Sequence, residues 1–190
     1  VRAGRDLASN SVRAVASKGD SVWVATDAGV TLFRAGKSTL FSARSSRTNG
    51  KVPLRLIQHV AFGPRGEVLL STRRGGVGVL TRSGGFSITR RDSLLGDDVF
   101  GILEREGRPR LYACAAGLCA QVNDTTMVSF QAGAGLPRGE VRQVVGDART
   151  AYLRIARRGI FQFDGQRATA LTPPDGVSFE DASSISLGAD

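Results

Sequence analysis

The sequence has 190 residues, of which 41% are hydrophobic and 24 are glycine, a composition typical of a folded β-rich protein. Its formal net charge is +9, but arginines supply most of the positive charge and are dispersed among acidic residues, and aromatic residues make up only 6%. The lack of a basic run and of aromatic residues for stacking argues against nucleic-acid binding. No apolar run reaches the roughly 18 residues that a membrane-spanning helix needs.

A hairpin pattern occurs four times along the chain, as a hydrophobic run, a turn ending in glycine, and a second hydrophobic run. The four copies lie at 21–33, 68–80, 110–122 and 152–163, with turn glycines Gly29, Gly75, Gly117 and Gly159. These glycines are 46, 42 and 42 residues apart. Glycine suits this place because tight hairpin turns need positive φ. A fixed period of this length is typical of a repeat architecture.

One further apolar segment precedes each hairpin, and another follows it. The preceding segments are 11–17, 56–62, 99–105 and 141–147, and the following segments are 38–43, 85–90, 126–131 and 167–172. Short polar turns separate all of these runs, and no segment has helical periodicity. We therefore predict an all-β chain made of β-propeller blades, each with four antiparallel strands.

The repeat divides the chain into about four blades. We predict their bounds near 11–54, 55–96, 97–138 and 139–180, with the start of a further blade at 181–190. The further strand is predicted because Ala182 and Ile185 repeat the spacing of Val141 and Val144. We expect the chain to be a segment of a larger propeller, of roughly six to eight blades. Its first and fourth blades should then expose an apolar flank, which favours self-association or a second chain that completes the propeller.

The first module resembles the two-component regulator propeller repeat. Leu7, Asn10, Val12 and Val15 match the opening phrase of that repeat, and the run 22–30 matches its core. The repeat's threonine is present as Thr26 and Thr72, and Cys114 and Ala156 stand in its place later in the chain. The resemblance implies a propeller from the extracytoplasmic sensor region of a bacterial histidine kinase, with a periplasmic or extracellular location.

Two arginine pairs are the main candidates for ligand binding. Arg73 with Arg74, and Arg157 with Arg158, are predicted at the hairpin tips of the second and fourth modules. Two guanidinium groups on one loop can bind a carboxylate, a phosphate or a sulfate, although exposed tips can also be simply solvated. His59, the single histidine, lies on a predicted first strand and is expected to line the channel. The expected partner is an anionic small molecule or a protein.

Cys114 and Cys119 flank the turn of the third hairpin. If Ala116 and Gly117 form a two-residue loop, the two cysteines lie directly opposite each other, within the range of a disulfide. The alternative is a pair of reduced core cysteines. A C-x₄-C spacing with one histidine in the whole sequence is weak for a metal, so we predict no metal and no cofactor.

The sequence has no nucleophile elbow, no phosphate-binding loop and no zinc-protease motif, and we predict no catalytic residues. The acid pairs Asp97–Asp98 and Glu180–Asp181 precede first strands, but Ser11 and Glu140 interrupt a ring of acids at the equivalent positions. We therefore interpret the chain as a non-enzymatic propeller that recognises a ligand or a protein. The alternatives are a propeller hydrolase or lyase with a channel metal, and a scaffold for protein assembly.

Overall fold

The computed structural model describes residues 6–42, 56–80, 86–89, 94–132 and 135–188. Sixteen strands and no helix are assigned in these ranges. Blade 1 has β1 (Val12–Lys18), β2 (Ser21–Thr26), β3 (Gly29–Arg34) and β4 (Lys37–Ser42), and blade 2 has β5 (Ile57–Phe62), β6 (Val68–Thr72), β7 (Gly76–Leu80) and β8 (Phe86–Thr89). Blade 3 has β9 (Val99–Leu103), β10 (Arg110–Cys114), β11 (Gly117–Gln121) and β12 (Met127–Phe130), and blade 4 has β13 (Val141–Gly146), β14 (Ala151–Ile155), β15 (Gly159–Phe163) and β16 (Ala168–Ala170).

Each blade is one antiparallel sheet whose four strands pair in sequence order. Short turns between apolar runs produce this order, because consecutive strands joined by tight turns pair with each other. The predicted all-β fold built from four-stranded blades is confirmed. The described residues form two compact units: unit 1 holds blades 1 and 2 with Asp97–Val99, and unit 2 holds blades 3 and 4 with the remainder of β9.

The core of unit 1 lies between its two blades. Strand β2 turns the side chains of Trp23 and Ala25 to one face, because successive residues of a strand point to opposite faces. These two side chains join a buried cluster with residues of blade 2, including Ile57 and Val60 of its first strand. The ring of Trp23 also stacks on Phe41 at a centroid distance of 5.8 Å. Packing between blades therefore buries the apolar face of each sheet.

The core of unit 2 follows the same plan. One face of blade 3, represented by Leu111 and Ala113, packs in a buried cluster with Val141 and Val144 of the first strand of blade 4. At the far end of this cluster, Phe130 meets Phe163 edge to face at 5.0 Å. The repeated sequence thus repeats the packing arrangement as well as the strands.

Two glycines let the hairpin approach the fourth strand closely. A Cβ at Gly29 would lie 2.4 Å from the carbonyl oxygen of Phe41, and a Cβ at Gly117 would lie 2.3 Å from that of Phe130. Any side chain at these positions would therefore collide with the backbone of the neighbouring strand.

The hairpin turns differ from the sequence prediction in blades 2 and 4. In blade 2 the glycine opposite Thr72 is Gly76, so Gly75 belongs to a three-residue loop. The hydroxyl of Thr72 donates to the Gly76 carbonyl oxygen at 2.9 Å, as Thr26 does to Gly29 in blade 1. In blade 4 the residue at this threonine position is Ile155, which pairs with Gly159. The assignment of Ala156 to this position was wrong because the length of each loop was misjudged by one residue.

The segment after blade 4 packs against it without forming a strand. The side-chain amide of Gln143 in β13 donates to the Ile185 carbonyl oxygen at 2.7 Å and accepts from the Ile185 N–H at 3.0 Å. Arg154 donates to the Ala182 carbonyl oxygen at 3.2 Å. Residues 181–188 therefore lack the predicted strand, and a further blade and a larger ring stay predictions.

We expect Trp23→Ala to lower the free energy of unfolding by about 3–5 kcal/mol, because it removes a large ring from the core between blades 1 and 2. Trp23 is 8% exposed, and its neighbour Val22 is 36% exposed on the opposite face of β2. Urea unfolding gives the free energy of unfolding of Trp23→Ala and of Val22→Ala, which is the matched control. Equal losses of stability in the two variants would contradict the assigned faces of β2.

We also expect the chain to self-associate through the open face of blade 1. Val12 is 47% and Val15 62% exposed, whereas the equivalent residues Ile57 and Val60 of blade 2 are at most 4% exposed because blade 1 covers them. Sedimentation velocity should therefore show Val12→Ser with Val15→Ser shifting the chain toward monomer.

The control for this experiment is Val177→Ser with Leu187→Ser, which changes two residues of similar exposure in unit 2. A parent chain that is monomeric at high concentration, or a control variant that dissociates equally, would contradict the prediction.

Candidate functional site

Each unit contains a cleft at the same place in the repeat, between its two blades and beside the turn that follows the first strand. The unit 1 cleft has a volume of about 510 Å³ and the unit 2 cleft about 450 Å³. The unit 1 lining includes Lys18, Asp20, Trp23, Leu32, Arg34, Phe41, Phe62 and Leu80. The unit 2 lining includes Arg105, Arg108, Leu111, Ala120, Phe163, Asp164 and Gln166.

The two linings share repeat positions. Lys18 ends β1 in unit 1, and Arg105 follows β9 in unit 2; each lies six residues after the first residue of its strand. Likewise Trp23 corresponds to Leu111, a position set by the pairing of each hairpin. A basic residue therefore lines both clefts beside an apolar wall, with Lys18 exposed and Arg105 buried.

The unit 1 cleft combines aromatic walls with a charged rim. Trp23 and Phe41 form a stacked pair with an interplanar angle of 24°. The ammonium of Lys18 lies 5.8 Å from the centroid of Phe62, a cation–π contact from blade 1 to blade 2. At the rim, Arg34 Nε is 3.3 Å from Asp20 Oδ2. This arrangement can hold a flat or apolar ring together with a charged substituent.

The unit 2 cleft is less aromatic, and like the unit 1 cleft it has two basic side chains and one acid in its lining. Arg105 is 6% exposed, and its Nη2 donates to the Pro109 carbonyl oxygen at 3.1 Å. Burial lowers the pKa of Arg105, the charge of Arg108 lowers it further, and Asp147 opposes both effects. The carboxylate of Asp164 accepts backbone N–H groups from Gln166 and Arg167, which lowers the pKa of Asp164 and keeps this turn ordered.

The arginine pair in unit 1 lies at the predicted hairpin tip. Arg73 and Arg74 occupy the loop between β6 and β7, and Arg74 has φ of 62°, in the left-handed region. Asp98 holds this loop: its carboxylate accepts the Arg74 N–H at 2.7 Å and lies 3.6 Å from Arg73 Nε. An acid thus already neutralises part of the charge predicted to bind a ligand.

The arginine pair in unit 2 also lies at its predicted tip, between β14 and β15. Arg157 has φ of 59°, and Arg158 donates from Nε to the Arg138 carbonyl oxygen at 3.3 Å. Both side chains are exposed. Ligand binding at either tip stays a prediction.

His59 lies on β5 and is partly buried, with no hydrogen-bond partner for Nδ1 in the described part of the chain. Burial lowers the pKa of its imidazole, so the neutral form is favoured. His59 does not line either cleft. Its predicted role in ligand binding stays a prediction.

The cysteines are close together, but not in the predicted register. Cys114 pairs with Gly117, and Cys119 pairs with Tyr112. The prediction that they lie directly opposite was wrong because the two-residue loop is Ala115–Ala116. The cysteines are diagonal neighbours instead, with Sγ atoms 3.7 Å apart, and both are free thiols.

Cys119 is the more acidic thiol of this pair. Its sulfur accepts the Cys114 S–H and, at 3.2 Å, the Leu95 N–H, and the pKa of Cys119 falls to about 7. The same contact and burial raise the pKa of Cys114. Hydrogen bonds to the thiolate form favour it, which is why the pKa of Cys119 lies below that of Cys114.

The acid pairs do not form a metal site in the structure. Asp98 caps the loop between β6 and β7, and Glu180 and Asp181 are exposed in the segment after blade 4. Among the described residues, no group of three or more His, Cys, Asp or Glu side chains is placed to hold a metal ion.

Sequence reasoning missed both clefts, although a signal was available. Lys18 and Arg105 recur at one position of the repeat, 87 residues apart. The paired arginines at the hairpin tips are more conspicuous in the sequence, because their charges are adjacent. The apolar wall beside each of these basic residues comes partly from its own blade and partly from the neighbouring blade, which the sequence alone does not bring together.

Comparison with solved structures supports the fold. The extracellular domain of BT3049 from B. thetaiotaomicron, described as a hybrid two component system, matches with a TM-score of 0.75 and 17% identity, over 92% of this chain and 26% of that chain. The extracellular domain of BT4673 from the same organism, described as a one component system, gives a TM-score of 0.73 and 11% identity, over 90% and 26%. An ancestral GH74 enzyme gives a TM-score of 0.63 and 18% identity, over 87% of this chain and 24% of that chain.

The chain spans about a quarter of the length of these proteins. At such identities the likeness concerns the fold. No protein-family model and no curated protein sequence matches the chain. Within the described ranges, no helix is long and apolar enough to cross a membrane.

We expect Cys114 and Cys119 to form a disulfide in an oxidising compartment, because their Sγ atoms already lie 3.7 Å apart. Protein secreted to the periplasm and unfolded in an alkylating agent should be two hydrogens lighter per chain than reduced protein and should carry no alkyl groups. The Cys119→Ser variant is the control, since it must take up one alkyl group. Two alkyl groups on the parent chain would contradict the prediction.

Proposed function

We propose that the chain is a non-catalytic recognition module of a sensor, positioned outside the cytoplasm, and that it binds a small-molecule ligand in the unit 1 cleft. Two observations support the sensor part of the proposal. The first module resembles the two-component regulator propeller repeat, and the fold is similar to the extracellular domains of BT3049 and BT4673.

The unit 1 cleft carries the proposal, because it joins aromatic surface and positive charge in a volume suited to a small molecule. Trp23, Phe41 and Phe62 offer apolar ring faces. Lys18 and Arg34 offer cations, and Asp20 already pairs with Arg34. The ligand class that fits is a compound with a flat or apolar ring and an anionic group, with the ring against the aromatic side chains and the anion toward Lys18.

Binding in this cleft would act on the packing of the blades. The cleft walls come from blade 1 and from blade 2, and the contact between Lys18 and Phe62 connects them. A ligand that touches both walls stabilises the arrangement to which it binds best. The change in blade packing would then pass to a neighbouring domain of the sensor.

The experiment uses 1-anilinonaphthalene-8-sulfonate, a fluorescent compound with aromatic rings and one sulfonate. Trp23 is the single tryptophan of the sequence, so quenching of its emission reports on the wall of the cleft. We expect saturable quenching in the parent chain and several-fold weaker binding in Lys18→Gln, because the sulfonate loses its cation. Compounds that displace the dye then identify the natural ligand class.

The matched control is Arg13→Gln, which removes one positive charge from the same strand at the end that pairs with Asp27. A second control, Val12→Ser with Val15→Ser, removes the exposed apolar face of blade 1. Binding that is weakened by either control variant and not by Lys18→Gln would refute the proposed site.

A further inference from the structure

Arg105 is the one charged residue among the described residues that is buried, with 6% exposure. Its counterpart in unit 1, Lys18, is exposed. A buried guanidinium is costly unless an anion or several acceptors compensate for the lost water. Burial therefore costs Arg105 solvation free energy that the exposed Lys18 keeps.

The described residues supply only part of that compensation. Nη2 of Arg105 donates to the Pro109 carbonyl oxygen, and its Nε has no partner among them. No carboxylate in the same set lies within ion-pair distance of Arg105; Asp147 acts on it only through its longer-range charge. A guanidinium has five N–H donors, and the one on Nε of Arg105 is buried without a partner among the described residues.

A second cation close to Arg105 increases its need for a compensating anion. Arg108 lines the same cleft, and after burial its charge is the second cause that lowers the pKa of Arg105. Asp164 also lines the cleft, but its carboxylate accepts two backbone N–H groups of its own turn, from Gln166 and Arg167. Two cations thus face one cavity, and the acid of the lining has other partners.

The cavity has space for a ligand at this point. Its volume is about 450 Å³, with apolar walls from Leu111, Ala120 and Phe163. Apolar walls strengthen electrostatic attraction because they keep water away from the charges. The exposed side chain of Gln166 adds an amide at the rim.

We propose that the unit 2 cleft is a binding site for an oxyanion group, held by the guanidinium groups of Arg105 and Arg108 with the amide of Gln166 at the rim. Phosphate, sulfate and carboxylate share the required chemistry, since each presents two oxygens to a guanidinium fork. This site is separate from the unit 1 cleft, so the inference goes beyond the proposed function and does not depend on it.

The test titrates the full chain with sodium sulfate, inorganic phosphate and sodium acetate by calorimetry, at constant ionic strength set with sodium chloride. We expect saturable binding of at least one of the three anions, and a matching rise in the thermal unfolding midpoint. The anion that binds most tightly distinguishes a sulfate or phosphate ligand from a carboxylate ligand.

Arg108→Gln should weaken this binding about tenfold or more, because it removes a charge-assisted donor from the anion. Arg105→Gln should abolish it. Arg108 is exposed, so its variant is expected to fold and decides the question even if Arg105→Gln does not fold. The control is Arg149→Gln, an exposed arginine of unit 2 outside the cleft lining.

Absence of saturable binding for all three anions would overturn the proposal, as would equal binding by Arg108→Gln and Arg149→Gln. Neither result affects the unit 1 cleft, because the dye experiment reads the emission of Trp23 in the other unit. Binding that Arg108→Gln weakens and Arg149→Gln leaves unchanged supports the site.

Discussion

Packing between neighbouring blades is the interaction on which the described structure depends. A single four-stranded sheet with an apolar face is not stable alone and must bury that face against another element. In unit 1 the face with Trp23 and Ala25 is covered by the first strand of blade 2, and in unit 2 the face with Leu111 and Ala113 is covered by that of blade 4. The constraint explains why the same marker residues recur along the sequence: each must fit against a copy of the same surface.

The same packing leaves a region of the repeat free to vary. Near the turn after the first strand, the two sheets separate and a cleft opens in each unit. The backbone there is fixed by the blades, while the side chains at matching positions differ: Trp23 against Leu111, and Lys18 against Arg105. One repeat can therefore present an aromatic cleft in one place and a cleft with a buried arginine in another.

The sequence predicted the strands well because their signal is local. Alternating and continuous apolar runs between glycine-rich turns define all sixteen strands without knowledge of their neighbours. The sequence-based prediction of the turns was less accurate. Adjacent glycines at 75 and 76, and the run Ala115–Ala116–Gly117, permit more than one loop length, and a shift of one residue moves every cross-strand partner. The assignments of Gly75, Ala156 and the facing cysteines were wrong for this reason.

The sequence by itself determined the repeat, the four-stranded blade and the apolar faces, because period and residue type are properties of a short segment. Only the tertiary structure decided how the charges are used. Arg73 and Arg105 look alike in the sequence, yet Asp98 lies beside Arg73, and Arg105 is buried facing a cleft. That difference arises from residues that are distant in the chain and meet through packing, so no local pattern records it.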